Sequence, residues 1–145
     1  MTPRALQAIE LAQTTARELG HHYWGTEHLL IGLATTDGGV ASRVLTDLGY
    51  TSEHLRGKIR FLIGDGTDAA QEGIASSPRV ERVLNAAKAE CAKREETVVT
   101  TLHLLFALIK EREGVAVMLL ETPGVGLERI GGRMDQAFRD SLKDE

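Results

Sequence analysis

Two short stretches hold most of the side chains in this sequence that could do chemistry. One is Thr26-Glu27-His28, inside Gly25-Thr26-Glu27-His28-Leu29-Leu30-Ile31-Gly32-Leu33; the other is Thr101-Leu102-His103, inside Thr100-Thr101-Leu102-His103-Leu104-Leu105-Phe106-Ala107-Leu108. A hydroxyl, a carboxylate and an imidazole in succession can bind a ligand, hold a metal or move a proton. Each also has an ordinary use at a helix start, where hydroxyls cap free amides and acids face the positive end of the dipole. A structural or catalytic metal needs three or four converging ligands, and His21, His22, His28, His54 and His103 show no His-Glu-x-x-His pattern. A hydrolase needs a nucleophile, a base and an oxyanion site in one cleft, and no spacing here supplies them. A His- or metal-dependent hydrolase is therefore the least supported class, and no catalytic residue, metal or cofactor is expected. The recurrence of His28 as His103 points to a ring hydrogen-bonded near a helix N-terminus. Tyr23 and Trp24, just ahead of the first stretch, read either as packing under that helix or as a surface for partners.

His28 and His103 stand 75 positions apart, and the same offset pairs Pro3 with Pro78, Arg4 with Arg79, Ala12 with Ala87, Gly39 with Gly114, Leu45 with Leu120 and Gly49 with Gly124. No gap is needed, so one helical unit is built twice. The chain has 145 residues, 42% of them hydrophobic and only 4% aromatic, enough for one ordinary core. Net charge is −4, with basic residues scattered among acidic ones. A phosphate backbone would find no positive stripe, which excludes nucleic acid as a partner. There is no signal-like N-terminus and no apolar run of bilayer length, so no membrane partner is expected and the location reads as cytoplasmic. Cys91 is the lone cysteine, which rules out a disulfide within the chain, and its repeat partner Ala16 favours a small buried side chain there.

The elements that must position these residues are helices. Thr2-Pro3 and Ser77-Pro78 each set a capping residue before a proline at the first helical position. The first helix buries Ala5, Ala8, Ile9, Ala12, Ala16 and Leu19 and ends near Leu19, with Gly20 suited to the left-handed closing position. Thr26 is expected to cap the second helix, whose buried face is Leu29, Leu30, Leu33 and Ala34. Val40, Ala41, Val44, Leu45 and Leu48 form a third, and Thr51 caps a fourth with Leu55, Ile59, Leu62 and Ile63 inside. Residues 64–76 have no period and read as a mobile linker. The second copy repeats the pattern with Val80, Val83, Leu84, Ala87 and Cys91; Leu104, Leu105, Leu108 and Ile109; Val115, Ala116, Leu119 and Leu120; and Leu127, Ile130, Met134, Ala137 and Phe138. Charged Lys93, Arg94, Glu95 and Glu96 replace Glu18, Leu19, Gly20 and His21, so the first helix of this copy should be longer or differently capped. The expectation is an all-α fold without a sheet: repeat one about 2–63, linker 64–76 and repeat two about 77–140. The two four-helix units share one core across a pseudo-two-fold arrangement.

Gly-Thr-Glu-His-Leu-Leu-Ile-Gly-Leu, the Thr-Pro-Arg and Ser-Pro-Arg starts, and Gly-Gly-Val-Ala-Ser resemble the Clp repeat N-terminal domain, especially that of the ClpC-type unfoldases of Gram-positive bacteria. The resemblance covers nearly the whole chain. It implies a single compact domain over 1–145 that, in the family, sits ahead of two ATPase modules and receives adaptors and substrates of the Clp degradation machinery. This sequence has no Gly-x-x-x-x-Gly-Lys-Ser/Thr stretch and should not hydrolyse ATP. It is either an excised domain or a stand-alone accessory protein that competes with the unfoldase for ligands. In ClpC-type relatives the glutamate matching Glu27 helps hold the guanidinium of phosphoarginine, a degradation mark. The resemblance thus implies a ligand site at Thr26, Glu27 and His28, with helix-start amides and the Thr26 hydroxyl toward the phosphate. Thr101, Leu102 and His103 are the matching second site, weak or lost because Leu102 cannot accept a hydrogen bond. Actinobacterial relatives carry an aromatic residue before each Thr/Ser-Pro start, implicated in binding cyclic peptides. Met1 and Ser76 stand there in this chain, and Met1, Tyr23 and Trp24 make up the candidate partner surface.

Overall fold

The computed structural model describes residues 1–66, 74–111, 114–121 and 126–144, and among them the chain forms eight helices. The first copy supplies α1 (Pro3–Glu18), α2 (Thr26–Thr35), α3 (Val40–Asp47) and α4 (Ser52–Leu62). The second supplies α5 (Pro78–Lys93), α6 (Thr101–Lys110), α7 (Val115–Leu120) and α8 (Gly126–Arg139). The Thr2, Thr51 and Ser77 hydroxyls each accept the backbone N–H three residues on, from Ala5, His54 and Val80, so these three starts form as the capping residues dictate.

A two-residue parallel ladder departs from the expected absence of any sheet. β1 (Tyr23–Trp24) pairs with β2 (Ala75–Ser76), Tyr23 opposite Ala75 and Trp24 opposite Ser76. It arises because the segment leading into α5 runs beside the segment leading into α2, where two extended stretches have free backbone groups to exchange. Part of the expected linker, residues 67–73, lies outside the described residues. At its ends, Gly66 donates to the Leu19 carbonyl and Ala75–Ser76 lie in the ladder. The end of α5 also differs from expectation in one respect. Both α1 and α5 have 16 residues, so α5 is not longer, but Glu95 takes the left-handed turn (φ 58°) that Gly20 takes in the first copy (φ 71°).

The two copies hold each other reciprocally. Thr2 N–H donates to the Val99 carbonyl at 2.9 Å, and Ser77 N–H donates to the Trp24 carbonyl at 3.0 Å, the same bond seen from either copy. Such exchange of matched contacts is the signature of a two-fold relation. One continuous apolar core runs through both. Helices α2 and α6 lie at its centre and are buried on all sides rather than on one face: in α2 every residue from His28 to Ala34 is buried. At Gly32 a Cβ would run into the Ala8 carbonyl oxygen, so glycine is what lets α1 lie against α2. Two of the expected inward positions of α4, Leu62 and Ile63, are instead about half exposed beside a nearly fully exposed Phe61. The core-facing stripe of α4 ends at Ile59, one turn before the helix does.

Candidate functional site

His28 organises the first helix start. Its Nδ1 accepts the Gly25 N–H at 2.8 Å, its Nε2 lies 2.7 Å from His21 Nδ1, and His21 Nε2 lies 3.0 Å from the Gly64 carbonyl oxygen. An amide can only donate and a carbonyl can only accept, which fixes the direction of the whole relay. Both rings carry their proton on Nε2, and His28 donates to His21, which donates to Gly64. Glu27 Oε1 lies 3.2 Å from His28 Nδ1. That nitrogen has its lone pair on Gly25 N–H and no proton to offer, so this proximity is not an ion pair. The Glu27 carboxylate thus has no proton donor in that ring.

Gly25, not Thr26, is the capping residue of α2; Thr26 is the first helical residue and is buried, facing the start of α7 near Gly114. The expected Thr26 cap is therefore corrected. A side chain at position 25 would collide with the Glu27 carboxylate, so glycine here makes room for that group to fold back over the helix start. Glu27 and His28 line a cleft of about 490 Å³ together with His21, Tyr23, Ile63 and Asp65. The Glu27 side chain keeps 15% of its surface, a carboxylate partly withdrawn from water at the rim of an open cleft.

The second copy builds the same scaffold with different lining. Thr100 caps α6, its hydroxyl accepting His103 N–H, while His103 Nδ1 accepts Thr100 N–H at 2.9 Å. This is a full capping box with histidine in the place usually taken by Glu or Gln. Where the first copy has His21, this one has Glu96, whose carboxylate accepts from His103 Nε2 at 3.3 Å and from Lys143 at 3.3 Å. Burial works to raise the Glu96 carboxyl, but the bonds and charges of His103 and then Lys143 outweigh it and hold it below the usual carboxylate range. Leu102, in the place of Glu27, is 2% exposed. Phe138, in the place of Ile63, carries the Arg94 guanidinium 3.5 Å from its ring centroid. Arg94, Glu96, Thr100, Leu102, Phe138 and Lys143 line a cleft of about 390 Å³ that offers an external guanidinium no carboxylate at position 102.

Of the candidate partner surface, Tyr23 is 58% exposed, Trp24 is buried at 4% and Met1 packs partly into the core. The Ser76 hydroxyl is engaged by Glu81. Three participants were not legible in the sequence. His21 completes the relay, and its only sequence signal is that it matches Glu96. Ile63 reads as a core residue and turns out to line the cleft. Asp144 lies beyond the expected end of the second repeat, yet its carboxylate reaches Thr2, Val40 and Thr101. Among the described residues no group of three or more His, Cys, Asp or Glu side chains is arranged to hold a metal, and no helix is long and apolar enough to cross a membrane.

A duplicated helical unit with a cleft in each copy beside a histidine-braced helix start defines the class of the protein. The family described as Clp repeat (R) N-terminal domain matches residues 1–123 and, a second time, residues 76–141. The chain belongs to that family. It is 39% identical over 128 residues, 88% of its length, to the negative regulator of genetic competence ClpC/MecB of Bacillus subtilis, and spans 16% of that protein. It is 36% identical over 142 residues, 98% of its length, to an ATP-dependent Clp protease ATP-binding subunit ClpA homolog of Guillardia theta, and spans 17% of it. Among solved structures, the N-terminal domain of the chaperone ClpD from Arabidopsis thaliana superposes with a TM-score of 0.77 at 22% identity, covering 95% of this chain and 96% of that one. The Hsp104 N-terminal domain from Candida albicans gives 0.78 at 15% identity, covering 100% and 95%. These last two likenesses speak to the all-helical fold.

Proposed function

We propose that this chain is a non-catalytic recognition module of the Clp degradation machinery that binds protein substrates or adaptors and takes phosphoarginine-marked proteins through its first cleft. The observation that carries the reading is Glu27: a carboxyl side chain at a cleft rim, partly withdrawn from water, with no proton donor in His28 to pair with it. A guanidinium presents a planar N–H fork that a carboxylate accepts in two parallel bonds. Tyr23 and Ile63 flank the cleft with surface for the aliphatic arm of an arginine. The second cleft has Leu102 in the place of Glu27, and its Glu96 carboxylate is already engaged by His103 and Lys143, which supports one guanidinium site per chain rather than two. Titration calorimetry of the purified chain with free phosphoarginine tests this directly. Saturable heat with a stoichiometry near one is the expected result; no heat, or equal heat from unmodified arginine, refutes the phosphoarginine reading.

A further inference from the structure

Glu27 Oε1 and His28 Nδ1 face each other at 3.2 Å, and neither brings a proton to the contact: a carboxylate oxygen offers only lone pairs, and the ring nitrogen already accepts Gly25 N–H at 2.8 Å. Two acceptors this close repel, and water screens them poorly, because the side chains keep 3% (His28) and 15% (Glu27) of their surface. A positive charge beside the carboxylate, or a proton between the two atoms, turns the contact into an attraction. A ligand guanidinium in the cleft is one such charge. A second proton on His28 is the other.

The relay decides where that proton goes. His28 Nε2 donates to His21 Nδ1, and His21 Nε2 donates to the Gly64 carbonyl, so all four ring nitrogens are already bonded. A proton on His21 Nδ1 would set N–H against N–H at 2.7 Å. A proton on His28 Nδ1 displaces only the Gly25 amide and gains an ion pair with a carboxylate already within reach. The other titratable groups lining the cleft are His22, Tyr23 and Asp65, the last held by Arg60 at 3.3 Å, and the start of α5 adds the Ser77 hydroxyl. Glu18 of α1 and Arg56 of α4 pair with each other at 3.6 Å, outside that lining. In the second copy Leu102 stands where Glu27 does, so a second proton on His103 Nδ1 would find no carboxylate there. We infer that His21, His28 and Glu27 form a proton latch on the first cleft: on acidification His28 takes a second proton on Nδ1, claims the Glu27 carboxylate and releases Gly25 N–H, so protons and a cationic ligand compete for one anion. The latch stands on this geometry; that its closing expels a guanidinium rests on the recognition proposed above.

The ligand-free half of the test is NMR of the ring nitrogens and amides of the full chain between about pH 8 and 5, the range in which histidine changes charge. At the upper end the His28 ring should carry its proton on Nε2 alone. As the pH falls, Nδ1 should take the second proton and the Gly25 amide should shift in step with it. A ring that stays neutral throughout, or that charges while the Gly25 amide stays put, overturns the inference. The second half is calorimetry with phosphoarginine at about pH 8 and 6. Affinity should fall several-fold, by at most about tenfold per pH unit as for a single competing proton, and binding at the lower pH should release protons into the buffer. His28→Gln keeps a capping-box acceptor for Gly25 N–H and cannot be protonated, so the fall should be lost. An equal fall in wild type and His28→Gln would assign the pH dependence to the ligand's own phosphoryl group and overturn the competition. Should that variant not fold, the wild-type ring decides: saturating phosphoarginine at the lower pH should return it toward its neutral form, and a ring that stays charged in the complex overturns the competition. No phosphoarginine heat at any pH, with ring and Gly25 amide moving together, removes the recognition reading and supports the latch, so the two fail separately.

Discussion

Replacing Glu27 by alanine isolates the interaction on which the proposed recognition depends. The carboxylate is partly withdrawn from water, and its contact with His28 brings no proton, so a bound guanidinium would be its principal partner. Losing a charge-assisted contact of this kind costs on the order of 1.5–3 kcal/mol, about tenfold to a hundredfold in affinity. The same side chain lies in the first turn of α2, where an acid contributes roughly 0.3–1 kcal/mol through the helix dipole. For a chain of this size that is a fall of about 1–4 °C in melting temperature. Titration calorimetry with phosphoarginine, paired with a thermal melt, separates the two roles. Glu27→Ala should lose most of the binding heat and melt slightly earlier, and Leu102→Ala should leave binding unchanged. A Glu27→Ala protein that melts early yet binds normally would show that Glu27 serves only its own helix. Two equal sites in the wild type would refute the asymmetry between the copies.

Three further outcomes follow from the same geometry. Gly25→Ala sets a methyl group against the Glu27 carboxylate, the movable end of a flexible side chain, so phosphoarginine affinity should fall several-fold while the melting temperature changes little. Gly32→Ala meets the Ala8 backbone instead, which cannot yield without parting α1 from α2; overpacking of that kind costs about 1–3 kcal/mol or more by denaturant titration. Glu96 is held below its ordinary value near 4.5, so it contributes stability above that pH that is lost as the pH falls through the lower folded value. Acid melts of wild type should lose stability below about 4.5, and Glu96→Gln should flatten that part of the profile.

The repeat made most of the fold legible, because matched prolines, glycines and histidines at one offset locate helix starts and stops twice over. The buried faces of α1, α3 and α5 followed from periodicity, since each packs on one side only. The central helices broke the pattern: α2 and α6 touch neighbours all round, so burial there is set by position in the fold, and Leu102 is buried although it falls off the expected stripe. The short ladder and the relay were hidden for another reason. Tyr23 meets Ala75, and His21 meets Gly64, only once the chain has closed, and such pairings leave no local signature.

What the two copies share and where they part separates the frame from the rim. Their mutual bonds, Thr2 to Val99 and Ser77 to Trp24, hold both copies at once, so neither can drift without loosening the other. Positions 21 and 96, 25 and 100, 27 and 102, and 63 and 138 surround the clefts and are free of that constraint, and there the side chains have diverged in charge and size. Divergence of this kind is not undone one residue at a time. Leu102 is buried, and Thr100 fills the space that Gly25 leaves open for the Glu27 carboxylate. Leu102→Glu alone would bury a second carboxylate beside the cleft that already holds Glu96, with no room to fold outward, at a cost of several kcal/mol unless it is protonated. With Thr100→Gly added, the carboxylate can take the path Glu27 takes, and part of that cost should return as a higher melting temperature despite the lost cap. If the single and double variants melt alike, the space above the second helix start is not what keeps the second copy from holding a carboxylate.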